Sequence, residues 1–106
     1  YKFYVDIEVS LSSFASYEDL AARWREEAES AMAAINAGAL EAWKAVGEPE
    51  VHVVMDVEAA SEAEASSALY STLYSLPMAQ KGVLTFRRIQ PVQRYEEWAR
   101  HLGVSA

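Results

Sequence analysis

Cysteine is absent from the 106 residues, which excludes disulfides, thiolate nucleophiles and cysteine-ligated zinc. Glycine is scarce: Gly38, Gly47, Gly82 and Gly103 stand alone, so no glycine-rich loop can cradle a phosphate, and nucleotide, NAD or flavin binding through such loops is disfavoured. The two histidines, His52 and His101, lack any metal-ligand spacing such as His-x-x-x-His. No metal and no other cofactor is therefore expected. A Gly-x-Ser-x-Gly elbow is missing too. No apolar run approaches the ~20 residues that cross a bilayer, and no basic stretch leads into an apolar one near the N-terminus. The expectation is a cytoplasmic protein that does not enter a membrane. Basic residues are few: nine Lys and Arg face 16 Asp and Glu, a formal net charge of −7. That balance argues against nucleic acid and anionic lipid as partners.

What is present is the composition of a soluble globular chain, 52% hydrophobic and 24% charged, at the length of one domain. Three Trp, six Tyr and three Phe are a generous supply for so small a core. Some are expected to line a pocket or a subunit interface.

Residues 2 to 9 alternate strictly, with Phe3, Val5, Ile7 and Val9 on one face and Tyr4, Asp6 and Glu8 on the other, the signature of a half-buried strand. After a loop over 10 to 16, Ser16 and Asp19 make a capping-box-like start. A helix then runs to about Gly38, with Leu20, Trp24, Ala28, Ala31 and Ile35 within roughly 40° of one line. Residues 39 to 46 are helix formers by propensity. They span only eight positions between Gly38 and the Gly47-Glu48-Pro49 turn, and the β-branched strand over 51 to 57 follows. They are read as the first strand of a hairpin. A second helix covers 61 to 76, with Ala65, Leu69, Leu73 and Leu76 as its stripe and Tyr70 and Tyr74 on a flank. A last strand covers 83 to 89 and stops at Pro91. An amphipathic helix over 93 to 102 carries Tyr95, Trp98 and Leu102 on one side, to close over the fold or to reach a neighbouring subunit.

The order βαββαβ plus a tail predicts one α+β domain over 1 to 106, a ferredoxin-like sandwich with core 1 to 91 and a short C-terminal helix in the tail 92 to 106. Its helices cover one face of the sheet only. The other face needs a partner, and two such sheets facing each other would form a dimeric α+β barrel or part of a larger homo-oligomer, with small-molecule clefts between sheet, helix and partner.

Several segments carry a family likeness: Phe3-Tyr4-Val5-Asp6-Ile7-Glu8-Val9, Trp43-Lys44-Ala45-Val46-Gly47, Met55-Asp56-Val57, and Ala68-Leu69-Tyr70-Ser71-Thr72-Leu73-Tyr74-Ser75-Leu76-Pro77-Met78. Over about residues 1 to 92 the chain resembles the muconolactone isomerase family. The resemblance implies a ferredoxin-like subunit in an oligomer, and cofactor-free proton shuttling in a small unsaturated lactone. It also implies a glutamate suited to a base role at the position of Glu27. The likeness breaks on the face of Tyr4, Asp6 and Glu8, where the family carries basic or histidine residues. An acidic face would repel the carboxylate of muconolactone, so the expected substrate is neutral, cationic or bulkier, such as a polyketide-like or terpenoid-like compound.

Moving a double bond beside a carbonyl needs one group that removes and returns a carbon-bound proton, and donors that steady the enolate oxygen. Glu27 lies about 60° from Trp24 on the helical wheel, at the edge of the apolar stripe, where burial would raise its pKa. It is the first candidate for the base, the alternative being a boundary residue bonded to Arg23. Asp6 and His52 are further catalytic candidates and Tyr4 an oxyanion donor; the alternative is a polar subunit interface for Tyr4 and Asp6 and a hydrogen-bonded structural residue for His52. Glu8, Trp24, Trp43, Phe86 and Arg88 are candidates for substrate binding, with the aromatics otherwise read as core. Arg87 and Arg88, being adjacent on a strand, are expected on opposite faces. The function expected is a cofactor-independent isomerase or cyclase. The alternatives are a cofactor-free monooxygenase or decarboxylase, or a non-catalytic small-molecule binder or assembly module.

Overall fold

Strict alternation in the first eight-residue strand decides the layout of the molecule. In β1 (Lys2–Val9), Phe3, Val5, Ile7 and Val9 are buried while Tyr4, Asp6 and Glu8 are half-buried on the other side. The computed structural model describes residues 1 to 105; Ala106, the last residue of the predicted tail, lies outside them. β1 pairs antiparallel with β3 (Glu50–Asp56) on one side and with β4 (Leu84–Val92) on the other. The hairpin strand β2 (Leu40–Lys44) pairs with the free edge of β3. The result is one α+β unit with a four-stranded antiparallel sheet in the order β2-β3-β1-β4, compatible with a ferredoxin-like sandwich.

Helix α1 (Tyr17–Asn36) starts where Ser16 Oγ accepts the Asp19 N–H at 3.1 Å, and the chain leaves it through Gly38 at φ 78°, a left-handed turn that glycine makes without strain. Residues 40 to 44 form a strand despite their helical propensity, because pairing with β3 supplies a ladder that eight isolated residues could not supply as a helix. Helix α2 (Glu62–Ser75) is capped by Ser61 Oγ on the Glu64 N–H. Its Ala65, Leu69 and Leu73 are buried against Phe3, Val5, Ile7 and Val53. A second cluster joins Val9, Met78 and Val83 to Leu20 and Trp24.

The structure departs from the sequence reading in four places. The loop after β1 contains a short 3-10 turn, Leu11–Ser13. Pro77 opens a further helical turn, α3 (Pro77–Gln80), since a proline fits the first position of a helix as well as it ends one. The last strand runs through Pro91 to Val92 instead of stopping before it. β4 is an edge strand, so proline is tolerated there. Finally, the β1–β4 register shifts between Asp6 and Ile7, with Ile7 opposite Phe86 and Asp6 opposite Arg88. Arg87 is the extra residue of this bulge.

The tail helix α4 (Tyr95–His101) does not close over the fold. Tyr95, Trp98 and Leu102 all remain exposed. Among the described residues, no helix is long and apolar enough to cross a membrane.

Candidate functional site

α1 carries no fully buried residue. The side chains it turns toward the sheet include Ala28, Ala31 and Ala34, which are too short to fill the space in front of Val53 and Met55. A cleft of about 210 Å³ remains between α1, α2 and the sheet. It lies below the ~300–1,000 Å³ usual for drug-sized ligands, so a single small ring suits it better than a long chain.

Glu27 is the one ionisable residue on that lining; the rest is aliphatic apart from Trp24, Ser30 and Thr72. Its Oε1 accepts the Met78 N–H at 2.6 Å. That N–H belongs to the first turn of α3 and has no partner within its own helix. Burial pushes the Glu27 carboxyl above the usual carboxylate range, the Met78 N–H opposes the shift, and the charge of Glu26 adds to it. The alternative pairing with Arg23 does not form, because Arg23 turns to Asp19 at 3.7 Å. Trp24 stacks its ring beneath Lys44 Nζ at 5.4 Å, so one wall of the cleft is aromatic and held in place from outside.

The helix-free face of the sheet is built differently. Tyr4 Oη and His52 Nδ1 share a hydrogen bond of 2.7 Å. Asp6, directly across from His52 in the ladder, brings Oδ1 to 3.4 Å from Nδ1, and Glu50 Oε2 lies 3.7 Å from Nε2. Arg87 Nη1 binds Glu50 Oε1 at 2.6 Å and Glu8 Oε2 at 3.3 Å. The bulge explains this reach. Both Arg87 and Arg88 meet the open face, which corrects the expectation from simple alternation that they point apart.

The sequence-predicted site residues therefore divide between two sites. Glu27, Trp24 and Phe86 belong to the helix side, with Phe86 edge-on to Tyr74 at 5.4 Å. Tyr4, Asp6, His52, Glu8, Trp43 and Arg88 belong to the open face, and the sheet stands between the two groups. Among the described residues, the sheet keeps Glu27 apart from Asp6, His52 and Tyr4. Trp43, read as core, is 57% exposed on the edge strand, and Trp98, expected on the packing side of the tail helix, is 45% exposed on α4. Sequence reasoning missed Glu50, although its i,i+2 spacing to His52 on a strand was visible. It also missed the Met78 N–H and the reach of Arg87, which depend on α3 and on the bulge.

No known protein family matches the chain, and no curated protein matches it.

Proposed function

We propose that the protein is a cofactor-independent isomerase or cyclase that moves a proton beside the carbonyl of a small, neutral, unsaturated compound such as a lactone or enone. The observation that carries this reading is a lone carboxyl in an apolar cleft, with a raised pKa and one oxygen already held. A carboxylate so placed is a stronger base than an exposed one, and once protonated it can act as the acid that returns the proton. In the first step Glu27 takes a carbon-bound proton, and the electrons of the broken C–H bond delocalise onto the carbonyl oxygen. Glu27 then returns the proton to a different carbon, and the double bond has moved. The hydroxyls of Ser30 and Thr72, the other polar side chains on the lining, are the donors available to the enolate oxygen. They replace Tyr4 in that role.

Among the described residues no Lys or Arg lines the cleft, so an anionic lactone finds no direct countercharge on its walls. This supports a neutral substrate, and it separates the protein from a strict copy of muconolactone isomerase. We further read the open face of the sheet as the surface on which a second copy packs to make a dimeric α+β barrel; light scattering of the full chain tests this by its mass.

The test of the activity is proton NMR in heavy water with butenolides, cyclic enones and 1,3-dicarbonyl compounds. Wild type should exchange carbon-bound hydrogen in at least one of them, and Glu27→Gln should slow that exchange by ~100-fold or more. Equal exchange in both proteins overturns the role of Glu27. Binding without exchange in wild type turns the reading into that of a non-catalytic binder.

A further inference from the structure

The open face holds a group with no use in proton transfer at Glu27. Asp6 Oδ1 is shielded from solvent and has no hydrogen-bond partner. A buried carboxylate oxygen without a protein donor is costly, and such groups are normally matched by a cation. A neighbouring nitrogen is already engaged: His52 Nδ1 is 3.4 Å from this oxygen but only 2.7 Å from Tyr4 Oη. Arg88, across from Asp6 in the β1–β4 ladder, forms no salt bridge among the described residues. The oxygen therefore stands in a place that fits a positive charge from outside the chain.

Two more potential ligands lie beside Asp6 on this face. In the tautomer whose Nδ1–H donates to Tyr4 Oη, Nε2 carries the lone pair that a metal needs, and Glu50 Oε2 is 3.7 Å from it. One ligand atom from each of Asp6, Glu50 and His52 can be chosen so that all lie within 4.8 Å of one another. With ligands at about 2.0–2.2 Å, two ligand atoms of one ion lie at most ~4.4 Å apart, so the three groups close on an ion through small side-chain rotations. The frame is rigid, since Asp6 and His52 are a cross-strand pair and Glu50 lies two residues along β3 on the same face. Arg87 fixes Glu50 through Oε1 and leaves Oε2 free, while Tyr4 orients the imidazole. Such outer contacts hold metal ligands in position.

We propose that Asp6, Glu50 and His52 form a binding site for one divalent transition-metal ion, with Zn2+ as the fitting probe. Two carboxylates and one imidazole are a borderline donor set that suits Zn2+ better than the oxygen-only preference of Ca2+ or Mg2+. Three protein ligands leave further coordination positions for water or for a group on a facing surface. The site lies across the sheet from Glu27 and does not depend on the role given to that residue.

The test is calorimetric titration of the full chain with Zn2+ near neutral pH, with Co2+ absorption as a reporter of coordination. Wild type should bind one equivalent. Affinity should fall at least ~10-fold in Asp6→Asn and in His52→Gln and by about as much in Tyr4→Phe, which removes only an outer contact. His101→Gln and Glu27→Gln should bind as wild type does. Circular dichroism checks that each variant keeps its sheet, and Glu50→Gln replaces any variant that unfolds. Absence of Zn2+ binding in wild type, or binding that survives His52→Gln, overturns the proposal.

Discussion

The two faces of the sheet come from the same strands and have opposite chemistry. On the helix side, Ile7, Val9 and Val53 meet a cleft with a single carboxyl. One residue along, Asp6, Glu8 and His52 belong to a network of charges and hydrogen bonds. The difference shows how environment sets the character of a carboxyl. Glu27, held in apolar surroundings, has its pKa raised, while Asp56, at the edge of the open face, has its pKa lowered by Lys2 Nζ at 2.8 Å. Proton transfer therefore fits the closed side. Cation binding fits the open one.

Stability should divide along the same line. Leu69 is fully buried between α2 and the sheet, and Leu69→Ala should destabilise the protein by about 2–5 kcal/mol in urea unfolding, from lost transfer energy and the cavity left behind. The cleft side of α1 should behave in the opposite way. Ala31 faces existing space, so Ala31→Leu should fill it and stabilise by ~1 kcal/mol, while abolishing exchange of any substrate that Glu27 serves. If Ala31→Leu destabilises as strongly as Leu69→Ala, the cleft is not free space and the contrast between α1 and α2 fails.

Much of the frame was legible because period-2 and period-3.6 patterns are physical consequences of burial. Ser16 and Ser61 each cap the helix that follows. Residues 40 to 44 were readable as a strand from their bounds, against their propensity. The site was less legible. That Glu27 lies at the stripe's edge followed from the wheel, but a wheel cannot tell a packed stripe from one that stands off the sheet. That outcome depends on how three alanines of α1 meet β2 and β3. The bulge at Arg87 inverted the expected direction of an arginine, and a one-residue shift of this kind leaves no mark in hydrophobic pattern. Histidine spacing also had no means of bringing together side chains from two strands. Asp6 and His52 are 46 positions apart in sequence and adjacent only through the ladder.

The smallest expected effects come from pH and have opposite signs on the two carboxyls. Because the folded protein binds the Glu27 proton more tightly than the unfolded chain does, its contribution is complete below the ordinary glutamate pKa and is lost as pH rises through the raised value. Glu27→Gln keeps an acceptor for the Met78 N–H and cannot ionise, so its Tm should match wild type in acid and exceed it at neutral pH. Asp56 runs the other way. Its pKa is depressed by Lys2, so its contribution is present above the ordinary aspartate pKa and is lost as pH falls through the lowered value. Asp56→Asn should therefore lower Tm at neutral pH and converge on wild type in acid. The pair is solvent-exposed, with Asp56 at 48% side-chain exposure, so the loss should stay within ~0.2–1 kcal/mol and shrink in high salt. Thermal unfolding of both variants across pH, with and without added salt, measures the two slopes. If they share a sign, the closed and open faces do not treat a carboxyl differently.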